Sequence, residues 1–389
     1  MGKRLEQGVP MSKRAEPSPG QPEGGESGRP TIADVARLAR VSVTTTARVL
    51  SSRGYSSASA RQRVLSAAEQ IGYVPNYVAR SLRYGRTNTI GLLVADVENS
   101  FYSALAKNVE AVATKAGYFV VLCNSDDDPE KERELLNVLA ALRIAGLIVT
   151  PTGANRRELQ QLLKQGIKIV QMDRLVEHLD ADVVLVDNES GSYEAVGALI
   201  QAGHRRIGLL AGAPNVTTGA ERTRGYRRAL EANGLRVDPA LIRGGSFRRE
   251  RAIEEVRALL AVRPLVTGIF AANNILAEAC MLAITEAGLA MPADLSLVAF
   301  DDVEWMQMAG NRIASVRQPV GEMAQGATKI LLERIKGSPT APATVIYRPT
   351  FVRRASIAPP PQPGGNGASR APKSRTTHPA PTPATVRHL

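Results

Sequence analysis

Thr31-Ile32-Ala33-Asp34-Val35-Ala36-Arg37-Leu38-Ala39-Arg40-Val41-Ser42-Val43-Thr44-Thr45-Thr46-Ala47-Arg48-Val49-Leu50 is the stretch on which the organisation of this chain turns. Thr31 is a helix-capping residue, and Asp34, three positions on, can return the bond as a short variant of the capping-box acid. Ile32, Val35, Ala36 and Leu38 then form a buried face. Arg40-Val41 makes a turn, and Ser42 caps a second helix over Val43–Leu50. A third amphipathic helix is expected over Ala58–Gly72, with Val64, Leu65, Ala68 and Ile71 inward. Three short helices with a tight turn after the first describe a helix-turn-helix, whose second helix enters the major groove of DNA.

The charge map agrees with a nucleic-acid partner at this end. The 389 residues carry a formal net charge of +12. Residues 1–90 account for +8 and residues 358–389 for +4, while 91–357 sum to zero. Clustered Lys and Arg displace counterions from phosphate, so a neutral body with a basic helical end suggests one terminal module that meets a polyanion. A basic tail without a partner explains the C-terminal excess better than the N-terminal one, part of which lies in helical sequence. The tails, 1–29 and 358–389, read as disordered: the first lacks apolar periodicity, and the second is Pro-rich and basic.

From residue 89 the pattern changes. Apolar strands are expected at Thr89–Ala95, Tyr118–Cys123, Gly146–Thr150, Lys168–Met172, Val183–Val186, Arg206–Ala211, Gly268–Ala271 and Ser296–Phe300. Helical segments such as Ser103–Ala116, Lys131–Leu142, Ser190–Ala202, Ala220–Ala232 and Ile275–Ala287 alternate with them. Short continuous apolar strands between helices imply parallel sheets covered on both faces. Eight or more strands are many for one doubly wound sheet, so the fold class is α/β with two similar subdomains over 89–357. Ligands of open parallel sheets bind beyond the carboxyl ends of the strands, which places a site in the cleft between two facing subdomains.

Several classes are excluded or unsupported. Cys123 and Cys280 have no metal or redox spacing and sit in apolar runs, as reduced core residues of a cytoplasmic protein do. No apolar run reaches the roughly 18 residues of a membrane span, and the first 30 residues lack the apolar region of an export signal. Catalytic and metal-ligating residues are expected to be none, since no Ser/His/Asp, Cys/His or metal spacing is present. No Gly-rich phosphate cradle follows a strand, so no cofactor is expected and a nucleotide-using enzyme is disfavoured.

The block 31–50, followed by Gly72-Tyr73-Val74-Pro75-Asn76, closely resembles the lactose repressor/galactose repressor (LacI/GalR) family, and the resemblance runs almost continuously to about residue 354. It implies a helix-turn-helix DNA-binding domain (30–74), a hinge helix and linker (75–88), and a core like the periplasmic sugar-binding proteins (89–357). On that resemblance Val43 and Thr44 occupy the base-reading positions, with Thr45 and Arg48 on the same helix, Ser42 at its cap and Thr31 at the cap of the first helix. Valine or a threonine methyl can touch a thymine methyl, and arginine can donate twice to guanine or bind phosphate. A solvated helix face is the competing reading of Thr44–Thr46. Thr46 replaces a usual buried valine, Ala47 a usual serine, and Arg40 a frequent turn glycine, which implies mild backbone strain.

Pro75 through Arg83 resembles the family hinge helix, with Asn76, Ala79, Arg80 and Leu82 as its DNA-facing residues. So short a helix is marginal in water, which explains ordering on DNA. The resemblance implies that Leu82 wedges between base pairs of the minor groove, the unstacking cost being offset by contacts that bent DNA permits. An ordinary linker residue is the alternative.

The resemblance also implies effector-binding residues: Phe101, Asp173, Thr218, Arg222, Phe247, Asn273 and Asp301. Phe247 offers a flat apolar face, while Arg222, Asn273 and Asp301 can satisfy pairs of hydroxyls. Asp173 and Asp301 each immediately follow a strand, where a buried acid needs a partner. Structural salt bridges at Asp173, Arg222 and Asp301, and plain core packing at Phe101 and Phe247, remain the alternatives. Asn274 stands where many family members have aspartate. Val216 stands where a purine-sensing relative has arginine, which weighs against a purine corepressor. Arg248, Arg249 and Arg251 near Phe247 hint at an acidic or phosphorylated effector, or are simply a solvated loop. Arg317-Gln318-Pro319 resembles a late crossover between subdomains.

These readings converge on a cytoplasmic regulator, nucleoid-associated when bound to DNA. It would bind palindromic double-stranded operator DNA as a homodimer or tetramer, and respond to a sugar or sugar derivative. Repression is the family default. The alternative, a solute-binding receptor without DNA function, leaves residues 31–83 unexplained.

Overall fold

The computed structural model describes residues 30–50, 55–73, 87–247, 249–308, 310 and 312–362. They fall into two compact units, divided after residue 80.

The first unit holds three helices, α1 (Ile32–Ala39), α2 (Val43–Leu50) and α3 (Ala58–Gln70). Thr31 and Asp34 form the reciprocal capping box: the Thr31 backbone N–H donates to Asp34 Oδ2 at 2.9 Å and Asp34 N–H to Thr31 Oγ1 at 3.4 Å. Arg40 closes α1 in the left-handed conformation, φ 53° and ψ 49°, a region that favours glycine, as the turn position implied. Val35, Ala39, Val49, Val64, Ala67 and Ala68 make the core of the unit. Two expected core residues are corrected. Leu38 and Leu65 are 43% and 48% exposed, because the inward positions of their turns are taken by Ala39 and by Val64 and Ala68. In so small a bundle an alanine lets helices approach more closely than a leucine does. Thr46, where valine was expected, is fully buried and donates its hydroxyl to the Ser42 carbonyl at 3.1 Å, so the polar atom stays satisfied.

The second unit begins with β1 (Thr89–Val94), α4 (Ser100–Lys115), β2 (Phe119–Asn124), α5 (Pro129–Ala141), β3 (Gly146–Val149), α6 (Arg156–Lys164), β4 (Lys168–Met172) and β5 (Asp182–Val186). It continues through α7 (Asn188–Gln201), β6 (Ile207–Ala211), α8 (Thr217–Ala232), β7 (Ile242–Gly244), α9 (Arg249–Ala261), β8 (Gly268–Ala271), α10 (Asn274–Glu286), β9 (Ser296–Phe300) and β10 (Ala314–Arg317). The last elements are α11 (Val320–Ile335), β11 (Thr344–Tyr347) and β12 (Thr350–Val352).

Two six-stranded sheets result, ordered β11-β5-β4-β3-β1-β2 and β12-β10-β9-β8-β6-β7. The pairs are parallel except β10 with β12. Each sheet therefore repeats the doubly wound order in which the first strand lies between the second and the third, and each has a switch point beside its first strand. Central strands are buried along their length, as sheets covered by helices on both faces require. The chain passes between the lobes three times: at β5–α7, at β10–α11, and at β11–β12. The second passage contains Arg317-Gln318-Pro319, and α11 packs on β3, β4 and β5 of the first lobe.

Ion pairs fasten the crossovers. Arg334 of α11 forks onto Asp182 of β5 at 2.7 and 2.8 Å. Asp302, whose side chain is fully buried, accepts from Arg354 at 2.6 and 3.0 Å, from Arg317 at 2.8 Å and from Ser315 Oγ at 2.8 Å. Burial pushes both carboxyls up, but the arginine and other hydrogen bonds outweigh it and hold them below the usual carboxylate range. A carboxyl lowered on folding contributes stability that is present above its unfolded value and lost as pH falls through its folded value. The melting temperature should hold above pH 5 and fall steeply below about pH 4; in D182N the acid limb should be shallower.

The expected boundary at residue 358 is corrected. Ala358 belongs to the core: its carbonyl bonds His204 Nε2 at 2.9 Å and accepts from Ser296 Oγ at 3.2 Å, and the Pro360 ring packs against Gly203. The Pro-rich composition concealed an edge that buried polar groups hold. The hinge residues Asn76, Ala79, Arg80 and Leu82 and the segments 1–29 and 363–389 lie outside the described residues.

Candidate functional site

In the first unit, α2 turns an unusual face outward. Ser42 Oγ accepts the Thr45 N–H at 3.1 Å and bonds Thr45 Oγ1 at 2.9 Å, which fixes the start of the helix. Beyond that cap Val43 is 44% exposed, and Thr44 and Arg48 are exposed as well. A valine held in solvent at the head of a helix, between hydroxyls and a guanidinium, is the chemistry that meets base edges in a major groove. The described residues of this unit also expose Arg37, Arg40, Arg61 and Arg63 against the acids Asp34 and Glu69.

In the second unit the carboxyl ends of both sheets open on one cavity of about 460 Å³. All seven expected effector residues line it: Phe101, Asp173, Thr218, Arg222, Phe247, Asn273 and Asp301. Their positions follow from the topology. Asp173 follows β4, Phe247 follows β7, Asn273 follows β8, Asp301 follows β9, and Phe101 and Thr218 lie in the first turns of α4 and α8. Asp173 and Asp301 both have left-handed backbones, φ 66° and 70°. Strain of this kind at non-glycine residues persists where the surroundings hold it, and it gathers at binding sites.

The contacts bear on the salt-bridge alternatives left by the sequence. Arg222 is in no carboxylate salt bridge among the described residues. Its Nε donates to Asn188 Oδ1 at 2.8 Å, its Nη1 to the Ala272 carbonyl at 2.7 Å, and its guanidinium stacks 3.7 Å over the Phe300 ring. Asp301 is not paired with an arginine either; Oδ1 accepts from Gln318 Nε2 at 2.6 Å and Oδ2 from the Asn274 N–H at 3.4 Å. Asn273 caps α10 through Oδ1, accepting the Leu276 N–H at 2.8 Å. Phe101 is buried and edge-on to Tyr102, yet it lines the cavity, while Phe247 is half-buried.

Asp173 is the partial exception, with Arg174 Nε 3.9 Å from its Oδ2. Burial raises its pKa, with the guanidiniums of Arg174 and Arg222 opposing. Burial also drives the Tyr102 hydroxyl far above its ordinary value, so it stays protonated and donates to Asp173 Oδ2 at 3.0 Å. Tyr102, Arg174 and Gln318 are the site residues that sequence reasoning missed, along with Asp127, which binds both Nη atoms of Arg174. Signals existed: Asp126-Asp127-Asp128 lies just past the end of a strand, and Arg174 adjoins a flagged acid. Val216 is buried at the start of α8 and contributes no polar atom to its cap. Arg249, one of three arginines that hinted at an anionic effector, is paired with Glu278. No group of three His, Cys, Asp or Glu among the described residues could hold a metal, and no helix there is long and apolar enough to cross a membrane.

A helix-turn-helix joined to a two-lobed ligand-binding core defines a ligand-responsive DNA-binding regulator. Residues 31–76 match the family described as bacterial regulatory proteins, lacI family, and 196–357 match the periplasmic binding protein-like domain. The transcriptional regulator DegA of Bacillus subtilis is 34% identical over 333 residues, 85% of this chain and 98% of its own length. The ribose operon repressor of Halalkalibacterium halodurans is 35% identical over 309 residues, 79% of this chain and 91% of its own. Among solved structures, the transcriptional regulator CelR in complex with cellobiose aligns with a TM-score of 0.65 and 29% identity, covering 84% of this chain and all of that one. The chain belongs to the lacI family of bacterial regulatory proteins.

Proposed function

We propose that this regulator is a repressor that binds a palindromic operator as a homodimer through α2 and the hinge segment, under the control of a sugar-like effector in the inter-lobe cavity. The observation that carries the reading is the cavity itself: strand ends of two separate sheets place an apolar ring, a guanidinium and two carboxylates around one space sized for a small ligand. Relatives named as a ribose operon repressor and as a cellobiose complex support a carbohydrate. Two-fold operator reading supports the dimer. A ligand that favours one lobe arrangement alters the spacing of paired hinges and so the DNA affinity. The function is binding rather than catalysis, and it is exercised in the cytoplasm.

The DNA part is tested by anisotropy with DNA flanking the protein's own gene, over a salt series. Arg48 and Leu82 changed together to alanine should remove specific binding, and a wild-type affinity in that variant would refute the operator reading.

The cleft part is tested at Gly212. A Cβ there would stand 2.1 Å from Cζ of Phe247, so G212A must push the ring from its place, while the backbone need not move. Ligand affinity should fall up to about tenfold, the worth of an aromatic face, with the melting temperature nearly unchanged. Unaltered calorimetric affinity would remove Phe247 from the ligand's contacts.

A further inference from the structure

The charge of the cavity carries an inference about which sugars it admits. It rests on the proposal that the cavity binds the effector. Seven acidic side chains line it against four basic ones, among the described residues. More telling is the state of the four cations. Lys131 lies 2.5 Å from Asp126, Arg174 is forked onto Asp127, and Arg249 is paired with Glu278. Arg222 has its Nε and Nη1 bonded to Asn188 and Ala272 and its face on Phe300.

The unsatisfied atoms point the same way. Asp173 and Gln318 are 3% and 5% exposed and line the cavity, and their Oδ1 and Oε1 are buried without a hydrogen-bond partner among the described residues. Gln318 cannot turn its amide to change this, because Nε2 is the atom that can donate to Asp301. Both free atoms are acceptors, and a buried acceptor left unpaired is costly until a donor arrives. Among the lining residues one donor is also unpaired, Arg174 Nε, but its guanidinium is shared between Asp127 and Asp173.

We infer that the cavity selects a hydrogen-bond-donating polyol without negative charge, that it takes an ammonium in place of a hydroxyl at least as well, and that it rejects sugar acids and sugar phosphates. An anion entering here meets an excess of carboxylates, and the cations it could reach are already engaged: Lys131, Arg174 and Arg249 in ion pairs, and Arg222 through Nε and Nη1 with Asn188 and the Ala272 carbonyl. A hydroxyl or ammonium instead donates to Asp173 Oδ1 and Gln318 Oε1 and leaves every pair intact. Like charges brought together without solvent cost several kcal/mol, which in affinity is about 100-fold or more.

The test is calorimetry on the full-length protein with gluco, galacto and manno hexoses, each supplied as free sugar, 2-amino sugar, uronate and 6-phosphate. The tightest binder should be a free or amino sugar, its amino form no weaker than its free form, and its uronate and 6-phosphate about 100-fold weaker or worse. D173N keeps the shape and removes one charge, so it should narrow the gap between neutral and anionic partners; D301N serves as a second variant should D173N not fold. A uronate or phosphate as the tightest binder, still displaced by R222A, overturns the inference while leaving the cavity as the effector site. Binding by no member, or binding indifferent to R222A, overturns both.

Discussion

Replacing Asp302 with alanine should destabilise the ligand-binding core by about 3–5 kcal/mol. The carboxylate is the shared acceptor for Arg354, Arg317 and Ser315, and its side chain is wholly buried. Arg354 is only 13% exposed, so removing the acid strands a nearly buried guanidinium rather than deleting one contact. Domains of this kind are stable by about 5–15 kcal/mol in total, so the loss is a large share. The joint that weakens is where β9, β10 and the final segment meet, beside the third passage between lobes. Urea unfolding checks it. A midpoint within error of wild type would mean that solvent already screens the cluster.

The second large effect is at the ligand. R222A should weaken effector binding on the order of 100-fold, since truncating a buried, hydrogen-bonded charge costs about 2–5 kcal/mol. Asn188 Oδ1 and the Ala272 carbonyl lose their donor, and the Phe300 ring loses its stacking partner. Lysine cannot restore a planar fork stacked on a ring, so R222K should be nearly as poor. Calorimetry on both variants measures it; full affinity in R222K would reduce Arg222 to a point charge.

Much of the fold could be read from the chain because parallel strands buried on both faces carry continuous apolar runs. The segments 168–172, 268–271 and 296–300 coincide with strands β4, β8 and β9. Strands β7, β11 and β12 went unseen for the opposite reason. They are three or four residues long, lie at or near sheet edges, and are only half-buried. Strand β10 (314–317) also went unseen, although it is interior and mostly buried, because its four residues include only one large apolar side chain, Val316. The headpiece was placed correctly, but Leu38 and Leu65 were misassigned, because hydrophobicity alone does not reveal when an alanine takes the inward position.

In the cleft, a family resemblance named the seven residues, and the strand ends gave a physical reason for Asp173 and Asp301. The partners were not legible. Tyr102 reaches Asp173 across 71 positions, Arg174 reaches Asp127 across 47, and Asp301 is held by Gln318 across a crossover. Pairings of that length are products of the topology, and no local pattern records them.

The central claim is that occupancy of the cleft governs the grip on DNA. Operator affinity of the full-length protein, measured by anisotropy with and without the sugar that binds most tightly in calorimetry, addresses it directly. Ligand that saturates the wild-type cleft should change operator affinity about 5- to 150-fold, and R222A should bind operator normally but need about 100-fold more ligand for the same response. A ligand that saturates the cleft while operator affinity stays unchanged would contradict the account.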